Sequence, residues 1–136
     1  VPGSKPIYTS ADEPGLIYDV YAASPKVYAT RKDELKKLLK VWYRVVDYFY
    51  DPKTRDDAIS IMASRVGLPP AEYKKFVSGT KILTLEEAKQ YMTKVDGYKS
   101  VTGSSKISDD FNVANKVYSK PEDIDSYIDF SLTLGM

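Results

Sequence analysis

Apolar positions fall into helical spacing over most of the chain. Leu35, Leu38, Leu39, Trp42, Val45, Val46 and Phe49 step by 3, 1, 3, 3, 1 and 3 residues, which places them on one face of a 3.6-residue helix. Lys36, Lys37, Lys40 and Arg44 occupy the opposite face. The helix is expected to begin near Thr30, with Asp33 and Glu34 in a first turn that favours acids. Asp51-Pro52 ends it, because proline disfavours helix in the residue before it. A second helix is predicted from about Thr54 to Val66, burying Ala58, Ile59, Met62, Ala63 and Val66, with Gly67 at its C-terminus. Pro69-Pro70 opens a third that carries Tyr73, Phe76 and Val77. Thr84 followed by Glu87 is the signature of a reciprocal N-terminal cap and starts a fourth, expected to end near Asp96-Gly97. Residues 98–105 read as a loop. Ile107, Phe111, Ala114 and Tyr118 give a fifth helix, and Pro121-Glu122 starts a short sixth through Ile128.

The first two dozen residues lack this spacing. Ile7-Tyr8-Thr9 and Leu16 to Ala23 are β-branched and aromatic-rich, and Ala11-Asp12-Glu13-Pro14-Gly15 between them is turn-forming. The expectation is therefore a mostly α chain with two short β-strands, organised as a strand-turn-strand crossover or hinge segment over 1–24 and a helical part over 25–136. Two strands alone are marginal in water, so the reading is of a single incomplete domain, an α/β remnant whose other strands lie elsewhere.

Composition narrows the chemistry. Of 136 residues, 20 are Lys or Arg and 19 Asp or Glu, so the net charge is +1; a nucleic-acid partner, which calls for a concentrated basic excess, is not expected. There is no Cys and no His. That removes thiolate nucleophiles, the Ser-His-Asp triad and the commonest metal ligands, and no enzymatic activity, catalytic residue, cofactor or metal is expected. From Ser100 onward, three lysines face six carboxylates, without the spacing of a calcium loop. No glycine-rich phosphate loop, spanning segment or signal peptide is visible. Tyrosine is abundant, 12 against 4 Phe, and suits clefts that handle polar ligands. The most suggestive cluster is Asp12 and Glu13 in the turn, followed by Tyr18 and Asp19.

The run Tyr8-Thr9-Ser10-Ala11-Asp12-Glu13-Pro14-Gly15-Leu16-Ile17-Tyr18-Asp19-Val20 resembles a stretch in substrate-binding proteins of ABC importers, in the branch handling nitrate, taurine, aliphatic sulfonates and thiamine-pyrimidine precursors. The likeness continues in order through Arg31 to Tyr50, Asp56-Asp57-Ala58 to Gly67, Gly79-Thr80 with Leu83-Thr84-Leu85-Glu86-Glu87, Ile107 to Phe111, and Pro121 to Asp129. It spans about Ile7 to Ser131 and corresponds to the C-terminal half of a two-lobed, type II periplasmic-binding-protein-like fold. The resemblance implies a solute-binding component that closes by a hinge around a small anionic or zwitterionic solute and delivers it to an ABC permease. Its location would be periplasmic or extracellular and membrane-associated. Glu13 and Tyr18 would face the cleft as acceptor and donor, with Asp12 and Asp19 beside them. Relatives that make the thiamine pyrimidine use a histidine donor, which this chain lacks. The alternative reading is a non-enzymatic half-domain that self-assembles or complements a partner chain carrying the missing half.

Overall fold

The computed structural model describes residues 2–136, and among them it contains helices and no strand. The two-strand α/β, periplasmic-binding-protein-like expectation is therefore overturned. The segments expected as strands are turns and unpaired extended backbone. Asp12 N–H donates to Thr9 O at 3.0 Å and Leu16 N–H to Glu13 O at 3.2 Å, which folds residues 9–16 into two consecutive turns. Ile7, Ile17, Val20 and Tyr21 are exposed. Their β propensity describes a fit to a half-buried pleated surface. Without a neighbouring strand to complete a hydrogen-bond ladder, it has nothing to act on.

Seven helices follow, α1 (Pro25–Thr30), α2 (Lys32–Tyr50), α3 (Arg55–Val66), α4 (Pro70–Val77), α5 (Leu85–Tyr91), α6 (Val101–Ala114) and α7 (Ser131–Leu134), with a 3-10 turn at Ile124–Ser126. The chain divides into two compact units. One comprises Ser24–Ala88 with Met136, and the other the residues up to Ala23 together with Lys89–Gly135.

In the first unit, Ser24-Pro25 begins a helix. The Ser24 hydroxyl accepts from Val27 N–H, and proline takes the first helical turn, where its missing N–H costs nothing. The α2 stripe buries Val46 and Phe49, and Phe49 meets Ala58 and Ile59 of α3, where Ala63 is also buried. Met62, Tyr73, Val77 and Ile82 pack around Phe49 and Ile59. The link between α2 and α3 is stitched by polar groups. Thr54 places its hydroxyl on Tyr48 O at 2.5 Å rather than capping α3, and Tyr48 OH donates to Asp57 Oδ2 at 2.7 Å. The Arg55 guanidinium lies over the Phe49 ring, 4.5 Å from its centroid. Gly67, at φ 70°, ends α3 in the left-handed conformation expected of it.

The cap at Thr84 forms as its spacing predicts. Thr84 N–H donates to Glu87 Oε2 at 3.0 Å, and Glu87 N–H returns to Thr84 Oγ1 at 3.3 Å. Lys81 Nζ lies 2.8 Å from Glu87 Oε1. Helix α5 ends at Tyr91, short of the Asp96-Gly97 boundary expected for it.

In the second unit the expected loop at 98–105 holds only for residues 98–100, and α6 takes in 101–105. Ser100, fully buried, caps it by accepting from Gly103 N–H at 2.9 Å and donates its own proton to Val95 O. Gly103 is buried against the backbone of Val95 and Gly97; a Cβ would collide with both carbonyls. Here glycine serves a close approach inside a helix, where its low propensity argued for a loop. The helix ends at Asn115, followed by Lys116 in a left-handed conformation at φ 60°. The expected sixth helix is reduced to the 3-10 turn.

Two stability experiments follow from these contacts. Ile59 is 2% exposed, so Ile59→Ala should cost about 2–5 kcal/mol and lower the urea midpoint of the first unit. The Glu87 carboxyl is held below the usual carboxylate range, first by the Lys81 ammonium and then by Thr84. A carboxyl lowered in the folded state stabilises above its unfolded pKa, and the contribution disappears as pH falls through the folded value. The urea midpoint of Glu87→Gln should therefore lie below that of the parent near neutral pH and converge with it in acid.

Candidate functional site

The second unit contains a groove of about 420 Å³. One wall comes from the extended segment after the Gly15 turn, through Leu16, Ile17, Tyr18 and Val20, and another from α6, through Val101, Ser104, Ser105, Ser108 and Asp109. The α6 positions recur at helical spacing, so one face of the helix lines the groove. Tyr118 and Tyr127 contribute aromatic wall from the segment beyond α6.

Close backbone packing holds the two walls together. Ser104 OH donates to Gly15 O at 2.8 Å, and Tyr18 OH donates to Tyr98 O at 3.0 Å. Gly15 sits at φ 95°, and a Cβ there would overlap Tyr98 O and come within 2.9 Å of the Tyr18 hydroxyl. Only glycine meets both demands.

The four residues singled out from the sequence are placed as follows. Asp12 is exposed and committed locally: Oδ2 accepts Thr9 N–H at 2.6 Å and Thr9 OH at 2.9 Å. These bonds, the backbone one foremost, hold its carboxyl below the usual range. Glu13 is half-buried in the same turn, and Asp19 is exposed. Tyr18 alone of the four lines the groove. Its ring meets Tyr91 edge-on at 5.8 Å, and burial, then Tyr91, pushes its phenol up. Because its hydroxyl proton goes to Tyr98 O, Tyr18 offers the groove a ring and oxygen lone pairs rather than a donor.

Asp109 is the residue that reading by sequence missed. It is 5% exposed. Its Oδ1 accepts Tyr118 OH at 2.8 Å, and Glu122 N–H approaches Oδ1 and Oδ2 at 3.2 and 3.3 Å. Asp109 thereby ties the segment after α6 back onto the helix. Asn112, donating to the Tyr118 hydroxyl, pulls that phenol down, but Asp109 and desolvation outweigh it and the net shift is upward. Tyr127 is raised by burial, then by Asp109, Glu122 and Asp123. The available signal was the spacing of 101, 104, 105 and 108, hidden because Val-Thr-Gly-Ser-Ser reads as a loop.

The basic positions of α2 behave as a solvated face. Lys37, Lys40 and Arg44 are exposed, and the last two border a shallow depression of about 340 Å³ that also includes Asp47 and Leu85. Among the described residues, no group of three or more carboxylates is arranged to hold a metal ion, and no helix is long and apolar enough to cross a membrane. Comparison of the chain with family models, curated proteins and solved structures finds no significant match.

The clamp between the groove walls gives a direct test. Gly15→Ala forces both a left-handed alanine and a displaced Tyr98 carbonyl, and should cost at least about 2 kcal/mol. Ser104→Ala removes one hydrogen bond and should cost about 1 kcal/mol. Denaturant midpoints of the two variants should rank in that order below the parent.

Proposed function

We propose that the chain serves as the C-terminal portion of a solute-binding component of an ABC-type importer. Support comes from the ordered run of motifs between Ile7 and Ser131. The observation that carries the reading furthest is the groove itself, a small-molecule-sized concavity reached by Tyr18 and lined by serine hydroxyls. The reading does not include the two-strand sheet, which the helical structure excludes. Of the solute classes the motifs imply, a zwitterion suits the groove better than a simple anion, because its wall holds a carboxylate and neither lysine nor arginine.

Titration calorimetry with nitrate, taurine, an alkanesulfonate and an aminopyrimidine tests the proposal. Saturable binding of at least one is expected, and silence across the panel refutes it.

A second reading, a non-enzymatic half-domain that pairs with itself or a partner chain, is favoured by a different observation. Leu38, Val41, Val45 and Tyr48 form a stripe on α2 at spacings of 3, 4 and 3, and each is about half exposed. Moreover, the second unit buries Ser100, Ser104, Asp109 and Thr133, while the buried hydrophobic residues named among those described all belong to the first. A unit without buried apolar side chains lacks the main driving force of folding, which a partner surface would supply. Sedimentation equilibrium should then show a concentration-dependent oligomer; a strict monomer refutes this second reading.

A further inference from the structure

Asp109 is a buried carboxylate whose charge the protein leaves uncompensated. Removing a carboxylate from water is costly unless a cation, a helix N-terminus or several N–H donors offset it. None of the three is fully present. No lysine or arginine among the described residues lies within ion-pairing distance of Asp109. It is the ninth of the fourteen residues of α6, beyond the reach of the positive helix end. Its protein donors are one phenol and one backbone N–H, the latter shared between both oxygens. A carboxylate accepts about four hydrogen bonds, so capacity remains, above all on Oδ2.

This charge lies in the wall of the groove, beside Tyr118 and Tyr127. Aromatic faces attract cations, and a desolvated carboxylate next to them strengthens the effect. The lining contains no positive side chain, while Leu16, Ile17 and Val20 offer a seat for a short hydrocarbon. We propose that the groove binds organic ammonium groups, with the ligand's cationic nitrogen against Asp109, the Tyr118 and Tyr127 rings alongside, and its carbon chain on the apolar residues after the Gly15 turn. This deepens the solute-binding reading and rests on it for the groove being the ligand's seat. The solute is thereby an amine or an amine-bearing zwitterion.

The test is titration of the full chain with n-butylammonium, n-butanol and butanesulfonate, which share one hydrocarbon tail and differ in charge. Saturable binding of n-butylammonium is expected, at least about tenfold tighter than n-butanol, with no saturable binding of butanesulfonate. Asp109→Asn keeps an oxygen for Tyr118 and Glu122 while removing the charge, and should weaken n-butylammonium about tenfold. Tyr127→Leu alters a side chain that is 62% exposed, leaves the Asp109 latch intact, and should weaken it about threefold. Equal affinity for n-butylammonium and n-butanol, or an unchanged affinity in Asp109→Asn, overturns the assignment. Saturable butanesulfonate binding without n-butylammonium binding overturns it while leaving solute binding standing; failure of this series and of the wider solute panel together overturns both.

Discussion

The Gly15 carbonyl accepts the Ser104 hydroxyl, and the Tyr18 hydroxyl reaches the Tyr98 carbonyl, across separations of 89 and 80 residues. Closing so long a loop costs entropy, and these two hydrogen bonds by themselves return only a part of it. The rest depends on backbone meeting backbone at a distance only a residue without a Cβ allows. Gly15 supplies that at the turn and Gly103 at the start of α6. The groove exists because the two walls are held this closely, and the face of α6 that lines it is oriented by the same contacts.

The two units are held by different physics. In the first, the α2 stripe buries Val46 and Phe49 against α3, and α4 covers the same cluster. Its polar bonds, from Thr54 to Tyr48 O and from Tyr50 to Ile82 O, fix angles between elements already brought together by apolar burial. In the second, the buried groups are hydroxyls and a carboxylate: Ser100 is satisfied by Val95 O and Gly103 N–H, Asp109 is held by Tyr118 and Glu122, and the Thr102 hydroxyl has no partner among the described residues. A polar interior of this kind specifies geometry more than it drives collapse. It also leaves a charged group at the groove whose electrostatic needs the protein alone does not meet, which makes Asp109 the chemically distinctive residue of the molecule.

The legible parts of the chain were those governed by local rules. The helical course of α2, the glycine stop of α3, the proline start of α4 and the reciprocal cap of α5 all depend on residues within a few positions of one another and are found where the spacing put them, although of the α2 face only Val46 and Phe49 are buried while Leu38 and Val45 stay half exposed. Tyr18, singled out among polar turn residues in a tyrosine-rich chain, lies in the groove wall, but its hydroxyl proton goes to Tyr98 O instead of being offered as the expected donor. Asp109 was not singled out, since beside Asp110 it resembled an ordinary acid on a solvated helix. Its burial comes from Tyr118, which the pattern placed further along the same helix but which lies beyond its end, and from Glu122, which the pattern placed in the next helix.

The sequence by itself determined where α2, α3 and α4 lie, what stops α2 and α3, where α5 starts, and which chemistry is out of reach for a chain without histidine or cysteine. Tertiary structure decided the fate of Ile7-Tyr8-Thr9 and of residues 16–23, because a strand is a property of a pair and no partner strand stands beside them. It also decided that Val101-Thr102-Gly103 is helical, because a buried Ser100 cap and a backbone approach at Gly103 outweigh poor intrinsic propensity. Propensity and periodicity are summed over neighbours in sequence, whereas ladders, close approaches and buried charges are settled by neighbours in space.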